Sequence, residues 1–463
     1  MKHFWGELIM EENGNNELAR NLKSRHVQLI AIGGTIGTGL FLGAGSSIHL
    51  AGPSILLAYI VTGLVCFWLM RALGELLLSD LESTSFVTFV TKYLGKKVGF
   101  VTGWTYWVCW ITIAMAEITA TGMYVRYWFP SVPQWIPGFI ILILLIGLNL
   151  ITVEAFGETE FWFSIIKIIA IVALIAIGFI MVLLHSKTNV GHADLTNLIH
   201  FGGIFPQGLK GFILSFQMVL FAFVGIEMVG MTAAETRDPK SVIPKAINEI
   251  PVRIGIFYVG ALFFLMAIYP WNEINPNGSP FVQVFKNIGI PGAGGIINFV
   301  VLTAAASACN SSLFTTGRML FSLTYGSSNK LGKRLGTLSK SQVPKNAILL
   351  SSLVIAVAVI LNILMPEGVF TLISSIATTC FLFIWGTIVL AHLKYKKGQK
   401  QAKKEFSMPF FPISNYIVLT FLSFVGVVLL LQKETAIALI GSLIWFGVMF
   451  TVAKIKGKGE LMD

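Results

Sequence analysis

The chain has 463 residues, of which 55% are hydrophobic and only 12% are charged. A soluble globular protein carries about 25% charged residues, so this composition excludes an ordinary water-soluble enzyme and predicts a polytopic membrane protein. The formal net charge of +11 does not indicate nucleic acid binding, because most Lys and Arg residues lie in the tails and in alternate loops, as the positive-inside rule expects.

Twelve apolar segments are long enough to cross a bilayer as helices, which takes about 20 residues each. They cover residues 28–49, 54–79, 97–129, 135–153, 158–184, 211–234, 247–270, 281–326, 345–365, 368–393, 412–431 and 435–453. The charge distribution places both termini in the cytoplasm. We therefore expect one membrane domain at 28–453 between polar tails at 1–27 and 454–463, with no cleavable signal peptide. The charged loop 394–408 is interpreted as a flexible cytoplasmic connector attracted to anionic lipid.

The first segment is unusually rich in glycine. From Ala31 to Gly45 it reads AIGGTIGTGLFLGAG, although each glycine in a helix interior costs roughly 1 kcal/mol relative to alanine. A phosphate-binding loop is disfavoured, because no strand precedes the glycines. Close helix packing through GxxxG is one explanation. The other is a local loss of helix, which survives in a membrane only where it faces a protein cavity.

Such a break would create a binding site for a zwitterion. The half-helix that begins near Thr38 and Gly39 would point unpaired amides and a positive dipole end at a carboxylate. The half that ends near Ile36 would leave carbonyls for an ammonium group. The glycines therefore predict a site for a molecule with both charges.

The sixth segment contains a candidate for a second break. Its sequence FAFVGIEMVG, Phe221 to Gly230, places Gly225 where a turn is permitted and Glu227 directly after it. Segment 6 lies five crossings after segment 1 and so runs in the opposite direction. Paired discontinuous helices in two inverted halves are typical of secondary transporters.

Long blocks of this sequence resemble the amino acid–polyamine–organocation (APC) superfamily and, within it, the bacterial amino acid permeases. The resemblance covers about Leu22 to Lys397. The matching blocks are LKSRHVQLIAIGGTIGTGLFLGAG at 22–45, AGPSILLAYI at 51–60, MRALGELLLS at 70–79, GWTYWVCW at 103–110, FGETEFWFSIIKIIAIV at 156–172, FAFVGIEMVGMTAAETRDPKSVIPKAIN at 221–248 and INFVVLTAAASACNSSLFTTGRMLF at 297–321. Several blocks are most similar to D-serine/D-alanine/glycine permeases and to serine and alanine permeases.

The resemblance implies an all-α, LeuT-like 5+5 inverted repeat, with repeats at about 28–185 and 211–396, two further helices at 412–453, and helices 1 and 6 unwound at the midplane. It implies that substrate lies between helices 1 and 6, flanked by helices 3, 8 and 10. Thr38 and Gly39 match the amides that hold the carboxylate, and Gly225 allows the second break. The carbonyls that match the site for the amino group belong to Ile36, Phe221, Ala222 and Val224. Phe221 also matches an aromatic gate above the substrate.

Ionisable residues inside a membrane are functional candidates, because burying a charge is expensive. The resemblance places Lys167 where sodium-coupled relatives bind a structural sodium ion, and it implies that this lysine takes part in proton coupling. Its ammonium group could replace the sodium ion by bonding to carbonyls of helix 1 and to hydroxyls of helix 8 such as Ser311. Snorkelling to the surface is the alternative. Glu117 is predicted as a proton acceptor or cation partner, or as a structural hydrogen bond. Glu227 is assigned a gating or structural role at a positive helix end.

The leading hypothesis is a secondary transporter in the bacterial plasma membrane that imports small neutral amino acids such as serine, alanine and glycine, with the proton as coupling ion. A permease for aromatic, cationic or histidine-type substrates and an amino acid exchanger stay open as alternatives. No motif of an intramembrane enzyme, metal site or cofactor site is found, and no ATP-binding domain. The sequence does not give the oligomeric state, and beyond substrate, proton and lipid no partner is predicted.

Overall fold

The computed structural model describes residues 36–81, 83, 85–151, 153–228, 238–288, 291–339, 341–366, 368–398 and 406–455. The predicted tails 1–27 and 454–463 therefore lie outside this part of the chain, except for residues 454 and 455. Within the described residues the fold is helical apart from one small antiparallel hairpin, β1 (Lys187–Thr188) and β2 (Gly191–His192). Nine helices of this described part are long and apolar enough to span a membrane.

Within the described residues, seven α-helices come before the hairpin, and the first two are short pieces of the predicted first segment. They are α1 (Thr38–Phe41), α2 (Gly43–Ala51), α3 (Ile55–Ser79), α4 (Phe86–Leu94), α5 (Lys96–Val125), α6 (Trp135–Asn149) and α7 (Val153–Leu183).

In the part of the chain after the hairpin that the structure describes there are twelve further α-helices, and a π-helical turn, Gly255–Gly260, joins two of them. They are α8 (Gly208–Ala222), α9 (Pro239–Asn248), α10 (Ile250–Ile254), α11 (Ala261–Ile268), α12 (Pro280–Asn287), α13 (Ala293–Thr324), α14 (Lys330–Leu335), α15 (Lys345–Ile355), α16 (Val357–Leu364), α17 (Val369–Lys397), α18 (Ile413–Val428) and α19 (Lys433–Ile455).

The predicted segment 281–326 is wrong as a single span, because it contains the separate helices α12 and α13. Gly292 precedes α13 in the left-handed conformation, with φ 78°. Pro291 before it has no N–H to continue a helix. A proline followed by a left-handed glycine ends helical structure, so the membrane-crossing element is α13 alone.

Three long helices form the centre of the fold. Helix α5 packs along α13 and along α17, and most of its side chains are buried. Helices α7 and α19 lie at the periphery and expose many large apolar side chains, as helices in contact with lipid do. The short helix α2 packs against α8, and α1 also touches α8. This packing brings the two glycine-containing segments of the sequence together beside the central helices.

The ends of the loop 394–408 are held in place, which corrects the interpretation of the whole loop as a flexible connector. Residues 394–397 continue α17, and residues 399–405 lie outside the described part. Buried Glu75 of α3 forms an ion pair with Lys396 Nζ at 2.6 Å. It accepts a hydrogen bond from the Met408 N–H at 3.0 Å and pairs with His392 Nε2 at 3.0 Å. Arg71 Nε donates to the Ser407 carbonyl at 3.1 Å. These contacts tie α3, α17 and the start of α18 together.

We expect Glu75→Ala to lower the free energy of unfolding by about 3 kcal/mol, because it leaves a buried histidine and a lysine without their carboxylate. The control is Asp80→Ala, which removes a partly exposed pair with Lys92, 3.8 Å apart, and should cost less than about 1 kcal/mol. Thermal unfolding of the detergent-purified variants measures both. Equal losses in the two variants would contradict a stabilising role for the Glu75 contacts.

Candidate functional site

Helix α1 begins with an N-terminus that no side chain of its own segment caps. Gly37 precedes it in an extended conformation (φ −134°, ψ −158°), and its carbonyl accepts the first helical bonds, from the N–H groups of Leu40 and Phe41. Glu117 of α5 takes the place of the cap. Its Oε1 accepts the Thr38 hydroxyl at 2.9 Å and, more weakly, the Thr38 N–H at 3.4 Å. A buried carboxylate therefore lies at the positive end of α1.

Helix α8 ends at Ala222, within the predicted site of the second break. The chain then turns, and Gly225 has φ 90°, which strains any other L residue. The Phe221 carbonyl accepts the Val224 N–H at 3.1 Å, and the Ala222 carbonyl accepts the Tyr258 hydroxyl at 3.1 Å. A carbonyl oxygen has two lone pairs, so the Ala222 carbonyl keeps one for a further donor. The Phe221 carbonyl is also approached by the Phe223 N–H.

The start of α1 and the end of α8 touch through their backbones. A Cβ atom added to Gly39 would lie 2.6 Å from Ala222 Cα and 3.0 Å from Ala222 N. One turn further on, a Cβ atom on Gly43 would lie 2.7 Å from Met218 Sδ. Only glycine at position 39 allows this approach, and it brings amide donors of one segment close to carbonyl acceptors of the other.

A small cavity of about 30 Å³ lies at this meeting point. Its walls come from α1, α5, α13 and the end of α8, together with the turn that follows α8. They are formed by Gly37, Gly39, Trp110, Ile113, Glu117, Phe221, Ala222, Val224, Ala308 and Ser311.

Five of the predicted site residues therefore share one cavity: Gly39, Glu117, Phe221, Ala222 and Val224. Thr38 is joined to it through its bonds to Glu117, and Gly225 follows the lining residue Val224. Ile36 is buried next to Gly37. Lys167 and Glu227 are not among the described residues that line this cavity.

Two aromatic side chains close the apolar part of the wall. The Phe221 ring packs edge-to-face on Phe370 of α17, with centroids 5.9 Å apart. The Trp110 ring lies 3.5 Å from the point where a Cβ atom on Gly225 would be. Trp110 was not predicted as part of the cavity wall, nor Phe370 as the ring that packs on Phe221, because nothing in a chain with 36 Phe and 11 Trp marks one ring for such a place.

Lys167 is fully buried in the structure, so the snorkelling alternative is wrong. Its Nζ donates to the Ser307 hydroxyl of α13 at 3.0 Å. The expectation named Ser311 as one example of a helix 8 hydroxyl, and the hydroxyl that bonds to Lys167 here is that of Ser307, four residues earlier, while Ser311 lines the cavity. Ser307 in turn donates to Glu160, a buried carboxylate that the sequence analysis left out. The helical spacing of Glu160 and Lys167, seven residues or two turns, could have indicated this pair.

Glu227 lies after the turn at Gly225 and is also fully buried. Its two carboxylate oxygens accept the Tyr106 hydroxyl of α5 at 3.1 Å and Trp385 Nε1 of α17 at 3.4 Å. The segment after the turn is thereby attached to two central helices, an arrangement suited to a structural or gating role.

Comparison with known proteins agrees with this architecture. The family model "Amino acid permease" matches residues 26–461. The chain is 57% identical over 442 residues to the amino-acid permease AapA of Bacillus subtilis, covering 95% of each chain. It is 45% identical over 434 residues to the D-serine/D-alanine/glycine transporter of Escherichia coli K12 (93% of this chain, 92% of the relative). It is 44% identical over 446 residues to the DL-alanine permease SerP2 of Lactococcus lactis (94% and 96%).

The predicted resemblance to the APC superfamily is confirmed by these matches, which cover nearly the full chain. The relatives are named permeases and transporters, so the expectation that the chain is not an enzyme is also confirmed. The apolar helices and the family match together establish a multi-pass membrane protein with an amino acid substrate. The chain belongs to the amino acid permease family.

Proposed function

We propose that this permease imports small neutral amino acids such as alanine, serine and glycine by proton symport with alternating access. It resides in the bacterial cell membrane with both termini in the cytoplasm. Its twelve membrane helices form the LeuT-like 5+5 inverted repeat, with the domain boundaries given above and with helices 1 and 6 interrupted at Gly37 and Gly225.

The observation that carries the proposal is the cavity between the start of α1 and the end of α8. The N-terminus of α1 offers the amides of Thr38 and Gly39, which suit the substrate carboxylate. The opposite wall offers the carbonyls of Phe221, Ala222 and Val224, which suit the substrate ammonium group. Together they recognise the α-amino and α-carboxyl groups that all amino acids share.

Small side chains around the cavity support a small substrate. Gly39, Ala222 and Ala308 form part of its wall, and the rings of Trp110 and Phe221 leave little room for a long or aromatic side chain. The names of two relatives specify alanine, and one of them also specifies serine and glycine. Both the wall and the relatives favour alanine, serine and glycine over arginine or tryptophan.

The position of Glu117 suggests how substrate and proton are coupled. Its carboxylate occupies the N-terminus of α1, where the substrate carboxylate is proposed to bind. Two anions at one buried site repel strongly, because the local dielectric constant is low. Substrate then binds when Glu117 has taken up a proton and its Thr38 contacts are released. Within the described residues Glu117 Oε2 has no hydrogen-bond partner, so this oxygen is available for the proton.

Competition for uptake of labelled alanine tests the substrate class. Unlabelled L- and D-alanine, serine and glycine should each reduce uptake by about tenfold at 100-fold excess, whereas phenylalanine, lysine and histidine should have little effect. Alanine analogues that lack the carboxylate or the amine should also compete poorly, because each leaves one wall of the cavity unpaired. Strong inhibition by arginine or tryptophan would instead favour a permease for large substrates.

A further inference from the structure

A second buried carboxylate lies close to Lys167. Glu160 and Lys167 are on the same face of α7, and neither side chain is exposed. Lys167 Nζ lies 3.9 Å from Glu160 Oε1, at the outer limit of an ion pair. The Ser307 hydroxyl of α13 lies between them, accepting from Lys167 and donating to Glu160. The three side chains form a continuous hydrogen-bonded chain, here called the Glu160 triad.

We propose that Glu160 is the fixed counter-ion of Lys167, positioned through Ser307, and that it sets the pH range over which the permease accumulates substrate. The inference rests on the proposed proton symport. Glu160 acts through Lys167 and not on the substrate directly, because it is not among the described residues that line the cavity.

Both side chains of the Glu160–Lys167 pair are buried, so the charge of each depends on the other. A lone charge in the membrane interior is expensive, and removing one partner of a buried pair leaves the other uncompensated. The ammonium form of Lys167 is therefore stabilised when Glu160 is ionised. The Ser307 hydroxyl connects the two groups, because it bonds to both across a gap that is long for a direct hydrogen bond.

Lys167 also interacts electrostatically with a second carboxylate, that of Glu117. Besides Glu160 of its own helix, Glu117 of α5 is near enough to act on the charge of Lys167, and α13 contributes the uncharged Ser307. Glu117 lines the cavity and bonds to Thr38, so its charge changes when substrate binds under the proposed mechanism. Glu160 is not among the described residues that line the cavity, and under the proposal it keeps its charge while substrate binds. The charge of Glu117 then changes with substrate binding, whereas the charge of Glu160 stabilises the ammonium form of Lys167 when no substrate is bound.

The test uses the full-length protein in proteoliposomes, with labelled alanine as the probe. Glu160→Gln should retain counterflow exchange, which needs no net proton movement. Its proton-driven uptake should become half-maximal at a pH lower by about one unit or more, because the ammonium form loses the charge that stabilises it. Glu160→Asp should restore the profile. The matched control is Glu158→Gln, which removes a charge from a half-buried side chain of the same helix and should leave the profile unchanged.

An unchanged pH profile in Glu160→Gln would overturn the proposal. If this variant does not reach the membrane, thermal unfolding of Glu160→Gln, Lys167→Met and the double variant decides instead. Paired charges predict that the double variant is more stable than either single variant, and additive losses would contradict the pairing. This stability readout does not depend on proton symport. A failure of the proposed function would appear separately, as protonophore-resistant accumulation in the unaltered protein.

Discussion

Replacing Gly39 by alanine is expected to abolish amino acid uptake while the protein still reaches the membrane. The added Cβ atom would lie 2.6 Å from Ala222 Cα. This clash with the backbone can be removed only if the two segments move apart. Separating α1 from the end of α8 would pull the proposed carboxylate site away from the proposed ammonium site. Uptake of labelled alanine in cells, normalised to the amount of permease in the membrane fraction, measures the loss.

The matched control for Gly39→Ala is Gly147→Ala in α6. A Cβ atom at Gly147 meets nothing within 4 Å, and alanine is favoured over glycine in a helix. This variant should transport as well as the unaltered protein. Normal uptake by Gly39→Ala would contradict a substrate site between α1 and α8, because the site could not tolerate that displacement.

The second large effect is expected for Glu117→Gln. The amide keeps the size of the side chain and can still bond to Thr38, but it can neither take up nor release a proton in transport. We expect proton-driven accumulation of alanine to fall by about tenfold or more, with counterflow exchange largely retained. Glu434→Gln, which changes an exposed carboxylate at the start of α19, is the control and should behave as the unaltered protein.

Accumulation and counterflow must be measured on the same preparation of the Glu117 variant. Loss of both activities would indicate that Glu117 serves substrate binding or stability alone. Retention of full proton-driven accumulation would remove Glu117 from the coupling mechanism and leave it as a cap of α1.

The glycine pattern was the most informative part of the sequence. It predicted that the chain departs from helix before Thr38 and again at Gly225, because glycine is costly in a helix unless a turn or a close approach requires it. The described residues have extended backbone at Gly37 and a left-handed residue at Gly225. Whether these points are the midplane breaks of an inverted repeat stays a proposal, since residues 28–35 and 229–237 lie outside the described part.

Contacts between distant helices were harder to predict. Tyr258 donates to the Ala222 carbonyl from a π-helical turn 36 residues later, and no local pattern marks that tyrosine. Ser307 of α13 bonds to Lys167, and the rotation of α13 about its axis, which the sequence does not give, decides which of its serines face α7. The sequence shows which residues share a face of a helix, but it does not show which neighbouring helix that face contacts.

The Glu75 contacts are missing from the sequence analysis for a similar reason. Glu75 and His392 lie 317 residues apart in the sequence. Their pairing depends on α17 continuing to Lys397 and on the chain returning at Met408 beside α3. The high charge of residues 394–408 suggested a solvated loop, whereas part of that charge compensates a buried glutamate.

The central claim is that the permease accumulates small neutral amino acids with protons, and one measurement in proteoliposomes tests it most directly. With the lumen more alkaline than the outside, the concentration of labelled alanine in the lumen should rise above its equilibrium value. This accumulation should be lost when a protonophore is added and should not depend on sodium. Accumulation that requires sodium and resists the protonophore would contradict the account.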